Sequence, residues 1–288
     1  AEFCPSAWYL GNRETVKKYG FTLTPVSYRK KDLQEMIKKG VNAENYDRPL
    51  ADLKIVVDAG NGVGAFYAEN VLPLHLEKAA GKIVMINGSG VNVEKFTPSP
   101  VPEQTAFLCI SRLIRDKGVV EYLDAAREIH KRHPNVRCVL VGPFDTNPSA
   151  IKPEDLQPYI DDGSIEYVGE QKNVAPYLSA CTAYVLPSYR EGTPKTVLEA
   201  MASGRPTITT DAPGCRETVE DGVNGYLVPV KDVSAIVTAM EKIIADPAKT
   251  AEMAKTARLI AEKKYDVNKV NLTIRTTMGI EVDTNEPV

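Results

Sequence analysis

From about residue 104 onward, short β-branched runs alternate with amphipathic stretches, and this alternation limits the fold more than any other feature of the chain. The strand-like runs are Phe107–Ile110, Arg137–Val141, Ile165–Val168, Ala183–Leu186, Pro206–Thr209 and Gly225–Val228. Between them, apolar spacing predicts helices over Gly118–Arg132, Pro153–Ile160, Val174–Ala180, Lys195–Ala202, Arg216–Val219 and Val233–Ala245. Strand and helix in repeated order, joined by a few residues, imply an α/β fold: a Rossmann-like, doubly wound parallel sheet with helices on both faces. Ligands of such sheets sit at the carboxyl ends of the strands, so the loops leaving the strands are where chemistry is expected.

The first hundred residues are less regular. Lys54–Asp58 and Lys82–Asn87 read as strands, Asp32–Lys39 and Phe66–Leu72 as helices, and the proline-rich run from Thr97 to Pro102 as a stiff linker. The expected division is a smaller, incomplete α/β part over 1–103, a ligand-binding domain over 104–272 and a polar tail over 273–288. With 43% apolar and 25% charged residues the chain has the balance of a folded protein, and a net charge of −3 argues against broad nucleic-acid binding. No apolar run approaches the roughly 18 residues of a membrane span, and the start Ala1-Glu2-Phe3 lacks a basic-then-apolar signal. Five cysteines without C-x-x-C spacing, two of them (Cys109 and Cys138) inside strand-like runs, read as reduced thiols of a cytosolic protein.

The densest cluster of chemistry-bearing residues runs from Pro187 to Ala200, directly after the strand Ala183–Leu186. Gly192 lets backbone approach a ligand, Thr193 reads as a helix N-cap, and Pro194 fits the first turn, where a missing N–H costs nothing. Open N–H groups at that helix start, with the Lys195 ammonium, suit phosphate oxygens. Glu191 and Glu199, eight apart, flank this anion site and suit a ligand with hydroxyls at both ends and phosphates between. The plain alternative is two solvated glutamates on a capped helix. A second loop, Ser111–Gly118, carries Arg112 and Lys117 away from the strand Phe107–Ile110, where Arg can grip a diphosphate bidentately and Lys as a point charge. Taken alone, that loop also reads as merely solvated. None of the three histidines reads as a base: His130 and His133 end a helix in solvent, and His75 falls in an apolar run.

Taken together, the stretch from about Lys82 to Asn268 resembles the nucleotide-sugar-binding half of the family-4 retaining glycosyltransferases of the GT-B fold. The resemblance rests on I-N-G-S-G-V-N-V-E-K-F (Ile86–Phe96), S-R-L-I-R-D-K-G (Ser111–Gly118), Y-V-G-E-Q-K-N-V (Tyr167–Val174), the run Leu186–Pro206 with its E-x7-E pair Glu191 and Glu199, and Thr209–Pro229. It implies that Arg112 and Lys117 neutralise the donor diphosphate while Glu191 holds hydroxyls of the transferred sugar. It further implies that Gly192, Thr193, Pro194, Lys195 and Thr196 surround sugar and phosphate, that Glu199 takes the ribose, and that Gly169, Asn173 and Val174 line the base. No metal or other cofactor is implied, and no D-x-D flanked by apolar residues occurs. The wording around Leu186–Pro206 and Pro213–Val219 looks most like bacterial enzymes that extend undecaprenyl-linked or surface glycans from a UDP-sugar, which implies a glycan or lipid-linked acceptor and a cytoplasmic site, peripheral on the inner membrane face.

A second resemblance falls on Asp32–Leu72, where Y-D-R-P-L-A-D-L-K-I-V-V-D-A-G-N-G-V-G-A-F-Y-A (Tyr46–Ala68) is similar to the segment entering the second domain of bacterial phosphomannomutases and phosphoglucomutases. The phosphoserine and metal loops of those enzymes have no match, so mutase chemistry is not expected. The Gly60-x-Gly62-x-x-Ala65 run also fits a dinucleotide fingerprint, but the next strand ends at Asn87-Gly88 rather than in an acidic residue for a ribose. Two resemblances on one chain point to a recombined sequence, able to bind a donor sugar with or without turnover.

Overall fold

The computed structural model of the chain describes Ile86 and residues 88–278; the mutase-like segment, the Gly60 motif, His75 and the tail beyond Met278 lie outside the described residues. The chain divides into two units, and all described residues except Thr146–Ser149 belong to the larger one.

Six strands, β1 (Ala106–Ile110), β2 (Arg137–Val141), β3 (Glu166–Gly169), β4 (Ala183–Leu186), β5 (Thr207–Thr210) and β6 (Gly225–Val228), form one sheet in the order β3-β2-β1-β4-β5-β6. Every pairing is parallel. The order reverses between β1 and β4, which is the position where sheets of this topology open a crevice at their carboxyl edge. Among the described residues the sheet is flanked by helices α1 (Val119–Arg132), α2 (Pro153–Asp161), α3 (Ala175–Ser179), α4 (Lys195–Ala202), α5 (Val233–Ala245), α6 (Pro247–Ile260) and α7 (Val267–Met278), with a π-turn (Ala261–Tyr265) joining the last two.

Side chains of a strand alternate between its faces, and here both alternations are apolar, as a sheet covered on both sides requires. Phe107, Cys109, Leu140 and Val185 enter one core with Tyr122, Leu123 and Ile129 of α1 and Ile236, Met240 and Ile243 of α5. Leu108, Ile110, Val139, Tyr184 and Leu186 enter the other with Val197, Leu198 and Met201 of α4, joined by Val91 and Phe96. The packed unit therefore reaches back before residue 104, and α7 runs on past residue 272.

Some sequence expectations change. Arg216–Val219 is a series of turns rather than a helix. Its side chains bond locally instead: Glu217 Oε2 accepts from the Gly214 N–H at 2.7 Å, and Asn224 Nδ2 donates to the Thr218 carbonyl at 3.1 Å. Helix α6 was not foreseen, although Asp246 accepts from the Lys249 N–H and Pro247 occupies its first turn, both ordinary start signals. His133 is half-buried rather than solvated, with Nε2 2.8 Å from Glu241 of α5. Cys109, Cys138, Cys181 and Cys215 are buried free thiols, and burial pushes Cys109 and Cys138 up to about 12. Among the described residues no helix is long and apolar enough to cross a membrane.

Candidate functional site

At the carboxyl edge, glycines with backbones closed to other residues bring the loops together. Gly142, after β2, packs so closely on the loop after β1 that a Cβ there would stand 1.7 Å from the Ser111 carbonyl oxygen. Gly118 has φ +69, and a Cβ would stand 2.0 Å from the Pro187 carbonyl oxygen, so the start of α1 is laid against the loop after β4. Tyr189 N–H donates to the Asp116 carbonyl at 2.9 Å, and Glu191 N–H donates to the Pro213 carbonyl at 3.0 Å. The loop bearing Glu191 is thus held on both sides by neighbouring loops.

Two sequence-predicted residues meet directly: Lys117 Nζ lies 2.5 Å from Glu191 Oε1. The Glu191 side chain is only 10% exposed, so this pair is largely buried between the loops that leave β1 and β4. Arg112 stands apart, 57% exposed, with Nη1 3.0 Å from Asp145 Oδ2 in the loop after β2. Its cation is at the rim, where a ligand can recruit it without first breaking a buried contact.

Helix α4 begins differently from the expectation. Pro194, with extended ψ of 111°, is the N-cap, and no side chain caps the helix; Thr193 does not take that role. A proline cannot offer a side-chain acceptor, so no side chain covers the first N–H groups of α4, which start beside the exposed Lys195. Thr193 instead faces Gly88, where a Cβ would come within 2.7 Å of its own Cβ. The Thr196 hydroxyl lies 2.7 Å from the buried Tyr184 hydroxyl, itself 2.9 Å from the Ile110 carbonyl, so Thr196 ties α4 to the sheet rather than opening into the crevice.

Glu199, one turn along α4, is 8% exposed and makes no hydrogen bond through its carboxylate to another described residue. Burial raises its pKa, opposed by the nearby ammonium groups of Lys195 and Lys95. Unlike Glu121 Oε2, its oxygens are not fully buried, so this largely desolvated carboxylate keeps access to a donor from outside the protein. On the far side of the crevice, Gly169 (φ +78) has open space where a Cβ would be, the exposed Asn173 Oδ1 accepts from the Ala175 N–H at 3.2 Å, and Val174 is the N-cap of α3. The site residues therefore line one edge of the sheet in sequence along it: the β3 loop, the β2 and β1 loops with Arg112 and Lys117, then Glu191 and the α4 start with Glu199. Among the described residues no group of three or more His, Cys, Asp or Glu side chains could hold a metal. Sequence reasoning missed Gly88, Gly214 and Tyr189, whose importance lies in what they touch. A Cβ at Gly214 (φ +85) would stand 2.1 Å from the carbonyl oxygens of both Glu191 and Gly192.

Residues 104–246 match the family described as glycosyl transferases group 1. Over 201 residues the chain is 29% identical to the N,N'-diacetylbacillosaminyl-diphospho-undecaprenol alpha-1,3-N-acetylgalactosaminyltransferase of Campylobacter jejuni, covering 65% of this chain and 51% of that protein. It is 26% identical over 156 residues to the capsular polysaccharide biosynthesis glycosyltransferase CapM of Staphylococcus aureus, covering 54% of this chain and 41% of that one. The chain spans about half the length of the curated relatives it matches. Among solved structures, HepE of Anabaena in complex with UDP superposes with a TM-score of 0.66 at 22% identity, over 89% of this chain and 70% of that one. The C-terminal domain of a group 1 glycosyl transferase (LpcC) of Francisella tularensis superposes with a TM-score of 0.52 at 25% identity, over 60% of this chain and 98% of that one. Residues 104–246, just under half of the chain, are therefore similar to glycosyl transferases group 1, and the described fold is that of GT-B glycosyltransferases.

Proposed function

We propose that this domain is the donor-binding half of a hexosyltransferase that moves a sugar, with retention, from a nucleotide-sugar, UDP-linked, to a glycan or lipid-linked acceptor. The observation that carries the reading is the order of groups along the carboxyl edge of the sheet: the Lys117–Glu191 pair, the uncapped start of α4, and the largely buried Glu199, whose carboxylate accepts from no described residue. Ribose hydroxyls donate to Glu199, and the diphosphate lies over the α4 N–H groups around Thr193–Lys195. Lys117 and Arg112 supply countercharge, and Gly169, Asn173 and Val174 border the base. Glu191 accepts from hydroxyls of the transferred sugar. As the bond from the sugar to the diphosphate breaks, negative charge grows on the leaving oxygen. In this reading Lys117 and the helix start face that oxygen, and such fixed electrostatic stabilisation is the kind that lowers a barrier most. The lipid-linked acceptor draws support from the Campylobacter relative, whose name includes a diphospho-undecaprenol acceptor, and the capsular relative supports a surface glycan. The proposed setting is cytoplasmic, peripheral on the inner membrane face.

Calorimetric titration of the chain with UDP, GDP and UDP-sugars tests the donor site, with Arg112→Ala/Lys117→Ala as the control. Two lost charge-assisted contacts should weaken UDP binding by well over about tenfold. Sugar transfer or UDP-sugar hydrolysis should disappear in Glu191→Ala while UDP binding survives. No binding of either nucleotide would sink the donor-site reading, and binding without turnover would leave the chain a nucleotide-sugar-binding module.

A further inference from the structure

Loops leaving β1, β4 and β6 meet at one side chain, Tyr189, which the donor-site reading does not use. Its hydroxyl donates to Glu121 Oε1 at 2.6 Å, and Lys231 Nζ stands 4.8 Å above its ring. Its N–H donates to the Asp116 carbonyl at 2.9 Å, and the preceding Ser188 hydroxyl donates to the same oxygen at 3.2 Å. Lys231 holds φ at 63°, the only left-handed non-glycine backbone among the described residues, so the β6 loop adopts a disfavoured conformation where it reaches this ring.

Glu121 lies in the first turn of α1 and is 9% exposed. Its Oε2 is buried with no partner, so the Tyr189 hydroxyl is the one donor this carboxylate has among the described residues. A buried carboxylate bonded through one oxygen is a poor device for stability, because the second oxygen loses its water without compensation. It is a good device for direction. Two residues beyond Tyr189 stands Glu191, and Lys117, which meets it, directly follows Asp116.

We propose that Tyr189 is a positioning residue: with Glu121 it clasps the Glu191 loop to the start of α1 and so sets where the Glu191 carboxylate meets the donor sugar. Burial first, and then the bond to Glu121, push the Tyr189 phenol up, so it remains a donor across the physiological range. The inference rests on the donor-site reading for its consequence, and on the loop contacts for its existence.

Two measurements on the whole chain test it. Tyr189→Phe keeps the ring and removes the donor, whereas Glu121→Gln keeps an acceptor oxygen for the hydroxyl. In the free protein, hydrogen–deuterium exchange across 188–193 should speed up in Tyr189→Phe by about fivefold or more and stay native in Glu121→Gln. In calorimetry, UDP-glucose and UDP-N-acetylglucosamine should bind about tenfold more weakly to Tyr189→Phe, while UDP stays within about twofold. Unchanged exchange overturns the clasp. Equal losses for UDP and the UDP-sugars, with a lower Tm, overturn the positioning role, because a merely structural residue would act that way. If the native chain binds no nucleotide, the donor-site reading falls, and the exchange result alone decides the clasp.

Discussion

The two faces of the sheet are closed by different means. On one, α1 and α5 lay apolar stripes across Phe107, Cys109, Leu140 and Val185, and regular helices do most of the covering, with Leu113 and Ile151 from connecting loops beside them. On the other, α3 and α4 cover part of the sheet, while residues 91–101, which form no helix or extended strand, pass beside them. Two arginines hold that segment. Arg205, fully buried, donates to the carbonyls of Leu178 (2.8 Å), Ser99 (2.9 Å), Ser179 (2.7 Å) and Pro100 (3.2 Å). Arg258 donates to those of Val93 (3.0 Å), Phe96 (2.7 Å) and Ala202 (2.6 Å). Burial of apolar area has no direction, so any stripe of the right period closes a face. An irregular segment leaves carbonyls unpaired, and closing a face with it needs donors aimed at each oxygen.

The largest expected effect breaks the second face. Arg205→Ala takes a donor from five carbonyls, that of Gly204 included, and should cost about 3–5 kcal/mol of unfolding free energy in urea. Arg205→Lys should rescue little of it, since one ammonium cannot reach the same five oxygens. Ile129→Ala on the first face should cost about 2–5 kcal/mol, yet Ile129→Leu less than about 1.5, because a helix stripe tolerates a change of shape. Equal tolerance of the two conservative variants would remove the contrast.

Smaller, and sited where the second face runs into the crevice, is Gly214→Ala. With φ +85 and two carbonyl oxygens 2.1 Å from a Cβ, it should cost on the order of 1–3 kcal/mol and displace Glu191. A native Tm with weakened UDP-sugar binding is not expected, and finding it would separate the loop from the fold.

The smallest effect is a pH dependence carried by the second face alone. Burial raises Glu199 above its ordinary 4.5, so the folded state holds that proton to higher pH than the unfolded chain. Its contribution to stability therefore falls as pH rises through and above 4.5, then levels off. Glu199→Gln should remove this fall, so the variant should gain on the native chain in melts run from acid to neutral pH. A constant difference across that range would mean the carboxylate is not desolvated as its burial indicates.

All six strands and helices α1 and α5 were legible because their signal is local: β-branched runs, and apolar residues such as Val119, Tyr122, Leu123, Ala126 and Ile129 at helical spacing. The turns at Arg216–Val219 misled because a short apolar-polar pattern does not reveal that Glu217 and Asn224 bond locally instead. In the candidate site, motif spacing singled out Lys117 and Glu191, which the structure brings into contact, and Glu199, which it nearly buries, while Thr193 as N-cap and the inward bond of Thr196 depended on orientation that spacing does not carry.

By itself, then, the sequence determined an α/β sheet with its glycine-rich, charged loops at the carboxyl edge, since periodicity and glycine–proline punctuation act between near neighbours in the chain. Only the tertiary structure decided the rest. Arg205 meets Ser99 106 positions away, Lys117 meets Glu191 74 away, and Tyr189 meets Glu121 68 away. Each is a hydrogen bond or ion pair whose strength depends on ångström-scale distance and angle, and these exist only after the strands have brought distant loops to one edge.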